Sequence, residues 1–261
     1  MTTSQRGTVR RLYHYPIKGL SPQPLEHVAL TAGNGFPFDR MFGIARADSG
    51  FDPLHPVPLP KQRFFMLARN ERLAELDTHL DPRSLRFTIR VKGELVHESD
   101  LSNEAGAAAA IDYFVRMFGL AEHSRPLLAR ADPHRFTDVS VTSPQMMNAI
   151  SMINLASVED FARRIGRAVD PLRFRANLYF DGWPPFSEME MKGRELQIGV
   201  VKVRILKRIE RCAAPEVSLQ SAQRDIPVPR LIKEHYGHTD MGVYGEVLTP
   251  GRIALGDALT T

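Results

Sequence analysis

The fold class rests on residues 201–212, which read VKVRILKRIERC. Apolar and charged residues alternate through most of this stretch, and a period of two is typical of a β-strand with one buried face. The pattern ends at Ala213-Ala214-Pro215, because proline cannot continue a hydrogen-bonded ladder. The stretch therefore predicts a half-buried strand that stops beside Cys212.

Cys212 is the only cysteine of the chain, and the pattern places its thiol at a strand end, where loops gather. Four basic residues lie close to it in sequence: Arg204, Lys207, Arg208 and Arg211. Positive charge of this kind favours the thiolate form, which is a soft metal ligand and a nucleophile. The alternative is a structural role, since free cysteine is often buried as a small hydrophobic residue.

Strand patterns bounded by glycine and proline recur outside this stretch. Residues 8–15, 25–30 and 41–47 predict strands, and residues 243–248 and 252–255 predict a final hairpin. Short strands with frequent turns favour a barrel over a parallel sheet. We therefore expect a mixed, β-dominated fold with a barrel and peripheral helices.

One helix divides the chain into two parts. Residues 103–118 are rich in alanine, carry apolar side chains at helical spacing and stop at Gly119. We place a domain boundary just after this helix, which gives domains of residues 1–120 and 121–261.

The composition argues against several classes of function. A net charge of +4 with 8% aromatic residues supplies no concentrated basic patch, so we expect no nucleic-acid partner. The sequence has no run of about 18 apolar residues, and residues 1–7 lack the apolar core of a secretory signal. One cysteine permits neither an internal disulfide nor a four-cysteine iron–sulfur cluster on this chain. These features predict a cytoplasmic protein with no membrane span.

Two short motifs suit an anionic ligand. Lys18-Gly19 follows a predicted strand end, where the lysine could act as a point charge on a phosphate. A solvated lysine in a turn is the alternative. Arg40 either pairs with the neighbouring Asp39 or reaches a bound anion.

A third candidate motif is the stretch RFRAN at residues 173–177. In an extended segment alternate side chains face the same way, so Arg173, Arg175 and Asn177 would point at one ligand. The planar guanidinium of arginine suits a phosphate or a conjugated ring. An exposed polar face is the alternative.

Taken together, these segments resemble a known family. Tyr15-Pro16-Ile17-Lys18-Gly19 and Phe38-Asp39-Arg40 look like the N-terminal β-barrel domain that precedes MOSC domains. Four later segments look like the MOSC domain itself: FRAN at 174–177, Arg211-Cys212, GVY at 242–244 and GRIALGD at 251–257. By motif, the chain is similar to the amidoxime-reducing proteins of this family, the mARC and YcbX type.

The resemblance implies an N-terminal β-barrel-like domain followed by a MOSC β-barrel domain with peripheral helices. It also implies an enzyme that carries the molybdenum cofactor, a molybdenum–molybdopterin. It makes Cys212 the catalytic residue and the thiolate ligand of the metal. It also implies cofactor contacts from Lys18, Gly19, Arg40, Arg173, Arg175, Asn177, Arg211 and Tyr244. Pyridoxal phosphate binding is a further function associated with the resemblance.

The implied reaction is the two-electron reduction of an N-hydroxylated or N-oxide small-molecule substrate. No flavin or nicotinamide fingerprint is present, so we expect an external electron donor such as a ferredoxin, a flavoprotein or a cytochrome b5-like protein. The alternative is a module in which Cys212 carries sulfur, or helps bind the cofactor, without turnover. The amidoxime-reducing proteins have a Thr-Ser pair where residues 143–150 read SPQMMNAI, and Asn148 is the expected substitute.

Overall fold

The computed structural model describes residues 5–261, so part of the segment searched for a secretory signal lies outside the described residues. In this range the strands are β1 (Arg6–His14), β2 (Gln23–Leu25), β3 (His27–Leu30), β4 (Phe42–Ala45), β5 (Asp77–Leu80), β6 (Arg86–Val91), β7 (Glu94–Asp100), β8 (Leu127–Arg130), β9 (Ile150–Asn154), β10 (Leu178–Asp181), β11 (Glu195–Ile198), β12 (Val201–Glu210), β13 (Asp240–Val247), β14 (Gly251–Ala254) and β15 (Ala258–Thr260). The α-helices are α1 (Glu104–Phe118), α2 (Pro144–Met147), α3 (Leu155–Ile165) and α4 (Val228–Tyr236). None of the helices in residues 5–261 combines the length and the apolar character needed to cross a bilayer.

Seven strands form a closed barrel in the order β10-β9-β13-β12-β11-β15-β1, and β1 completes it by pairing with β10. β9 and β10 run parallel, and the other neighbours run antiparallel. These strands share a core of apolar side chains, among them Val9, Met152, Val203 and Leu259, each at most 1% exposed. The predicted β-dominated barrel is therefore confirmed.

β12 carries the alternating pattern from which the fold class was predicted. It pairs with β11 on one side and β13 on the other, so both edges are hydrogen-bonded. Buried and exposed side chains alternate from Val201 to Ile205, as a strand with one face in a core requires. The strand ends at Glu210, and Cys212 lies two residues beyond it in the following loop.

A second core lies outside the barrel. β5, β6 and β7 form an antiparallel sheet, and α1 packs on β7 and β8. Leu80, Ile89 and Phe114 are buried in this core. Asn103 caps the start of α1 by accepting a hydrogen bond from the Gly106 amide, and the helix ends at Gly119 in the left-handed conformation, as predicted.

The chain passes from one core to the other directly after β1. Leu12 of β1 packs in the barrel core, whereas Ile17 and Leu20 pack in the second core. Lys18 and Gly19 therefore lie at the junction of the two cores. The division of the chain near residue 120 stays a prediction, and β1 shows that the N-terminal part also contributes to the barrel.

The predicted hairpin of residues 243–248 and 252–255 is wrong in its pairing. The two edges of β13 are already occupied by β12 and β9. β14 therefore has no free edge on β13 and pairs antiparallel with β3 instead.

Candidate functional site

A cavity of about 240 Å³ lies among the loop after β1, the segment before β10, the end of β12 and the strand β13. We call it the basic cleft, because seven basic and three acidic side chains line it. The nine residues proposed from the sequence all contribute to its lining: Lys18, Gly19, Arg40, Arg173, Arg175, Asn177, Arg211, Cys212 and Tyr244. The fold thus brings together positions from both ends of the chain.

The backbone of the loop after β1 fixes Lys18 and Gly19 at the cleft. The Lys18 amide donates to the carbonyl of Phe42 at 2.9 Å. Gly19 has a φ of +84°, and a Cβ there would lie 3.1 Å from the Phe65 carbonyl and 3.2 Å from a Leu73 methyl group. Conformation and close packing both favour glycine at this position.

Lys18 and Lys61 share one carboxylate, that of Asp138. The buried Lys18 Nζ donates to Asp138 Oδ1 and to the Phe136 carbonyl at 3.0 Å, and Lys61 Nζ donates to Asp138 Oδ2 at 3.3 Å. Burial opposes ionisation of Asp138, but the charges of Lys18 and Lys61 hold its pKa well below the usual range. Two cations therefore share one anion, which leaves positive charge on this wall of the cleft.

Arg40 and Arg175 both lie on the ring of Tyr15, with each guanidinium carbon 4.4 Å from the ring centroid. Arg40 also pairs with Asp39 at 2.6 Å. Arg175 differs, since within residues 5–261 its guanidinium has no hydrogen bond or ion pair. Burial lowers the pKa of Arg175 to about 10, so it remains charged at neutral pH.

Arg173 lines the cleft, but its side chain is not free there and its backbone is not extended as the sequence predicted. Residues Pro171–Phe174 form a 3₁₀ helix, and Arg175 has a φ of +54°, so alternate side chains in this stretch do not share a direction. The Arg173 guanidinium makes two hydrogen bonds to Asp225, at 2.7 and 2.8 Å, and also donates to the Pro215 carbonyl. The extended geometry assumed for residues 173–177 is therefore wrong, and the Arg173 side chain supports the loop after Cys212.

Asn177 borders the cleft, but its side chain is bonded within the barrel. Its Oδ1 accepts from the Ser151 amide at 3.0 Å and from the Ser151 hydroxyl at 2.8 Å. Its Nδ2 donates to the Tyr13 carbonyl at 3.3 Å. With 2% exposure, Asn177 connects β1, β9 and β10 at the floor of the cleft.

The Arg211 side chain is also bonded within the protein. Its Nε donates to the Met241 carbonyl at 2.9 Å, and its Nη1 donates to the Phe174 carbonyl at 2.8 Å. These bonds fix the backbone next to Cys212. Tyr244 lies on β13, and burial raises the pKa of its hydroxyl, which keeps it a neutral hydrogen-bond donor.

Cys212 is a free, partly buried thiol at the edge of the cleft. Lys61 lies beside it: burial opposes the charge of Lys61, but Asp138 and Cys212 raise the pKa of this lysine. In residues 5–261 no group of three or more His, Cys, Asp or Glu side chains could hold a metal ion. A metal bound at Cys212 would therefore need further ligands from a cofactor.

The sequence patterns missed two side chains of the cleft, Lys61 and Asp138, and the buried Tyr15 ring that Arg40 and Arg175 contact. Tyr15 belongs to a quoted motif, but nothing in the pattern identified its ring as the support for two arginines. Lys61 begins a 3₁₀ helix of three residues and Asp138 lies in a turn, and neither segment carries a periodic or motif signal. Asn148, the expected substitute for the missing Thr-Ser pair, follows α2, and its neighbour Ala149 lines the cleft instead.

Comparison with known proteins identifies two family models along the chain. The MOSC N-terminal beta barrel domain matches residues 6–125, and the MOSC domain matches residues 132–260. No curated protein matches the chain.

Several solved structures are similar at low identity. The YUAD protein from Bacillus subtilis has 14% identity and a TM-score of 0.49, over 100% of this chain and 97% of that one. YiiM from Geobacillus stearothermophilus has 20% identity and a TM-score of 0.34, over 43% of this chain and 53% of that one. A hypothetical protein has 18% identity and a TM-score of 0.34, over 51% and 54% of the two chains.

The two family matches follow one another in the order that the motifs indicated. Together they cover nearly all of the described residues, and the cleft takes residues from both. MOSC domains as a family are associated with binding of the molybdenum cofactor. The chain belongs to the MOSC family, with a MOSC N-terminal β-barrel domain followed by a MOSC domain.

Proposed function

We propose that this protein is a molybdenum cofactor-dependent oxidoreductase of the amidoxime-reducing type, which reduces N-hydroxylated or N-oxide substrates with Cys212 as the thiolate ligand of the metal. The observation that carries the proposal is the convergence of one free thiol and the unpaired guanidinium of Arg175 on a single basic cleft.

The residues of the cleft suit the cofactor by charge and by chemistry. Seven basic side chains against three acidic ones favour a ligand with a phosphate tail. Arg175 and Arg40 would hold that phosphate, because a planar guanidinium matches phosphate oxygens. Cys212 would supply the single protein thiolate that a metal already held by a dithiolene needs. When bound, the cofactor would supply the two-electron redox chemistry.

The chain's own groups would keep the site charged and oriented. The ammonium of Lys61 lies beside Cys212, where it would face the negative charge of a metal-bound thiolate, and Asp138 keeps Lys61 in place. Tyr244 offers a neutral hydroxyl at the cleft wall, where it would donate a hydrogen bond to the oxygen of a bound substrate. Arg211 and Arg173 would hold the loop that carries Cys212.

We place the source of electrons outside the chain. With one cysteine, these 261 residues hold no four-cysteine cluster, and they carry no flavin or nicotinamide fingerprint. A ferredoxin, a flavoprotein or a cytochrome b5-like protein would serve as the donor. Pyridoxal phosphate is less favoured as the ligand, because the ion pair with Asp138 ties up Lys18, the most deeply buried lysine of the cleft.

Turnover with an artificial donor tests the proposal. Protein from a host that makes the cofactor is mixed with reduced methyl viologen and N-hydroxybenzamidine, and benzamidine is measured by chromatography. We expect catalytic turnover that Cys212→Ala abolishes. The matched control is Ala213→Gly, which changes the neighbouring residue and should keep most of the rate. Molybdenum-loaded protein without any turnover would contradict the proposed activity.

A sulfur-carrier role is the second candidate, and the same free thiol beside Lys61 supports it. A cysteine that carries sulfur would be found as a persulfide, 32 Da heavier than the thiol. Mass spectrometry of freshly purified, unreduced protein measures this directly. A persulfide on Cys212 in metal-free protein would favour the carrier over the enzyme.

A further inference from the structure

A larger cavity of about 640 Å³ adjoins the basic cleft. The two share three lining residues, Gly19, Leu67 and Arg175, so they meet at the junction of the barrel and the second core. We call this larger space the side cavity. Its volume falls within the range of about 300–1,000 Å³ that is usual for small-molecule sites.

The walls of the side cavity are largely aliphatic and come from both parts of the chain. Leu20, Leu73 and Leu76 are at most 5% exposed and belong to the second core. Leu172 and Leu219 close the opposite side from the MOSC domain. The side cavity thus offers apolar surface beside a cleft that is strongly polar.

Charges at the side cavity differ from those of the cleft. Asp77 and Asp170 line it, and within residues 5–261 neither forms an ion pair. Lys92 and Arg175 are the two basic residues of its lining. Glu75 also lines the side cavity and pairs with Arg72, so these charges disfavour a tail with a carboxylate. The aliphatic walls favour an uncharged tail.

We propose that the side cavity binds the apolar body of the substrate, so that the preferred substrates are N-oxygenated molecules with an uncharged aliphatic or aromatic tail. The nitrogen–oxygen end enters the basic cleft past Arg175 and Gly19, and the tail lies against Leu73 and Leu219. This inference rests on the proposed function, since it assigns the substrate class of the same site.

A homologous series of substrates with one reactive group tests whether the side cavity binds the tail, a role for which we call it the tail site. N-methyl-, N-butyl- and N-octylhydroxylamine share the same nitrogen–oxygen end and differ in apolar length. Each methylene that leaves water improves affinity by at most about fourfold. With reduced methyl viologen as the electron donor, we expect the KM for the hydroxylamine to fall at least tenfold from the methyl to the octyl compound.

Two substitutions fill the side cavity without touching the residues that would hold the cofactor. Ala74→Trp places an indole at the half-buried wall, and Ser221→Trp does so from an exposed position where misfolding is not a concern. We expect both variants to bring the KM values for the methyl and octyl compounds within twofold of each other. The rate with the methyl compound should stay unchanged. Leu54→Trp is the control, because Leu54 is 82% exposed and lines neither cavity, so this variant should keep the full preference.

Calorimetry on metal-free protein separates the two proposals. We expect N-octylhydroxylamine to bind the metal-free protein and to lose that binding in Ser221→Trp. Tail-dependent binding without any reduction by loaded protein would overturn the proposed function and leave the tail site standing. The tail site alone would be overturned if KM did not depend on tail length, or if both tryptophan variants kept the lower KM for the octyl compound.

Discussion

The guanidinium of Arg40 donates a hydrogen bond to the backbone carbonyl of Arg175 at 2.8 Å. The bond connects the MOSC N-terminal β-barrel domain to the MOSC domain, since the two residues lie in different family matches. It holds Arg175 in its left-handed conformation above Tyr15. There the Arg175 guanidinium is buried, so its charge is poorly solvated. An anion arriving in the cleft would compensate a charge that the protein itself leaves unpaired.

Arg173 and Arg175 give a matched pair of predictions. We expect Arg175→Ala to change the free energy of unfolding by less than about 1 kcal/mol, because the lost contact with the Tyr15 ring is offset by removal of a charge that burial disfavours. The same change should weaken binding of a phosphate-bearing ligand at least tenfold. Urea unfolding, and calorimetry with inorganic pyrophosphate as the probe, measure the two effects.

Arg173→Ala should show the reverse behaviour. It removes two hydrogen bonds to Asp225 from a side chain with 7% exposure, so we expect a loss of about 2 kcal/mol in unfolding free energy. Pyrophosphate binding measured well below the unfolding transition should change less than threefold. If Arg173→Ala weakens pyrophosphate binding as much as Arg175→Ala does, the separation of the two roles is contradicted.

Asp138 should contribute to stability through Lys18. Asp138→Asn keeps an amide oxygen that can accept from Lys18, but it removes the negative charge that faces the buried ammonium, and we expect a loss of about 2 kcal/mol. The loss is limited because the Asp138 side chain is 43% exposed and solvent screens its charge. Lys61→Met is the control and should cost less than about 1 kcal/mol, since Lys61 makes a longer bond and is less buried.

The pH dependence of the Asp138 contribution has a definite sign. The pKa of Asp138 is lower in the folded protein than its ordinary value near 4, so the contribution is present above that value. It is lost as the pH falls towards the lower folded pKa. We therefore expect the stability difference between wild type and Asp138→Asn to be constant from pH 5 to 8 and to shrink below pH 4. A difference that grows on acidification would contradict this assignment.

Glu188 should make the protein less stable at neutral pH than at pH 5. Its side chain is 1% exposed, accepts a hydrogen bond from the Ser157 hydroxyl at 2.9 Å, and has a pKa raised to about 7 by burial. Between the ordinary value near 4.5 and about 7, the folded state holds a proton that the unfolded state has released. Stability therefore falls as pH rises through this window, by up to about 3 kcal/mol.

Glu188→Gln removes this titration and keeps an acceptor for Ser157. We expect the variant to lose less stability than wild type between pH 4.5 and 7, by up to about 3 kcal/mol, in urea unfolding at several pH values. Glu190→Gln is the matched control, because Glu190 lies two positions away with 74% of its side chain exposed. Identical pH profiles for wild type and Glu188→Gln would show that Glu188 is ionised in the folded protein at pH 6.

Local patterns predicted the parts of the fold that depend on local rules. The alternation of residues 201–212 and the capped period of α1 both correspond to real elements. The partner of β14 could not be predicted, because it depends on which strand edges remain free after the barrel closes. Pairing between distant strands has no signal in a single short window.

In the site, too, the sequence predicted what depends on neighbouring residues and not what depends on residues far away in the chain. The motifs located every side chain proposed for the cleft, but not which of them are free to bind. Arg173 and Arg175 are indistinguishable by type and spacing, and only the position of Asp225, some fifty residues away, engages one and leaves the other unpaired. Asp138 reaches the cleft from a turn and Lys61 from a 3₁₀ helix of three residues, and both segments are too short to show a periodic pattern.

Molybdenum stoichiometry in wild type and Cys212→Ala tests the central claim most directly. Both proteins are purified from a host that makes the cofactor, and molybdenum is measured by elemental analysis, with pterin measured separately by fluorescence after oxidation. We predict close to one molybdenum per wild-type chain, and a loss of molybdenum or of its thiolate absorption in Cys212→Ala, with pterin still held by the basic cleft. Wild-type protein free of molybdenum although the host supplies the cofactor would contradict the claim, as would Cys212→Ala with unchanged molybdenum and spectrum.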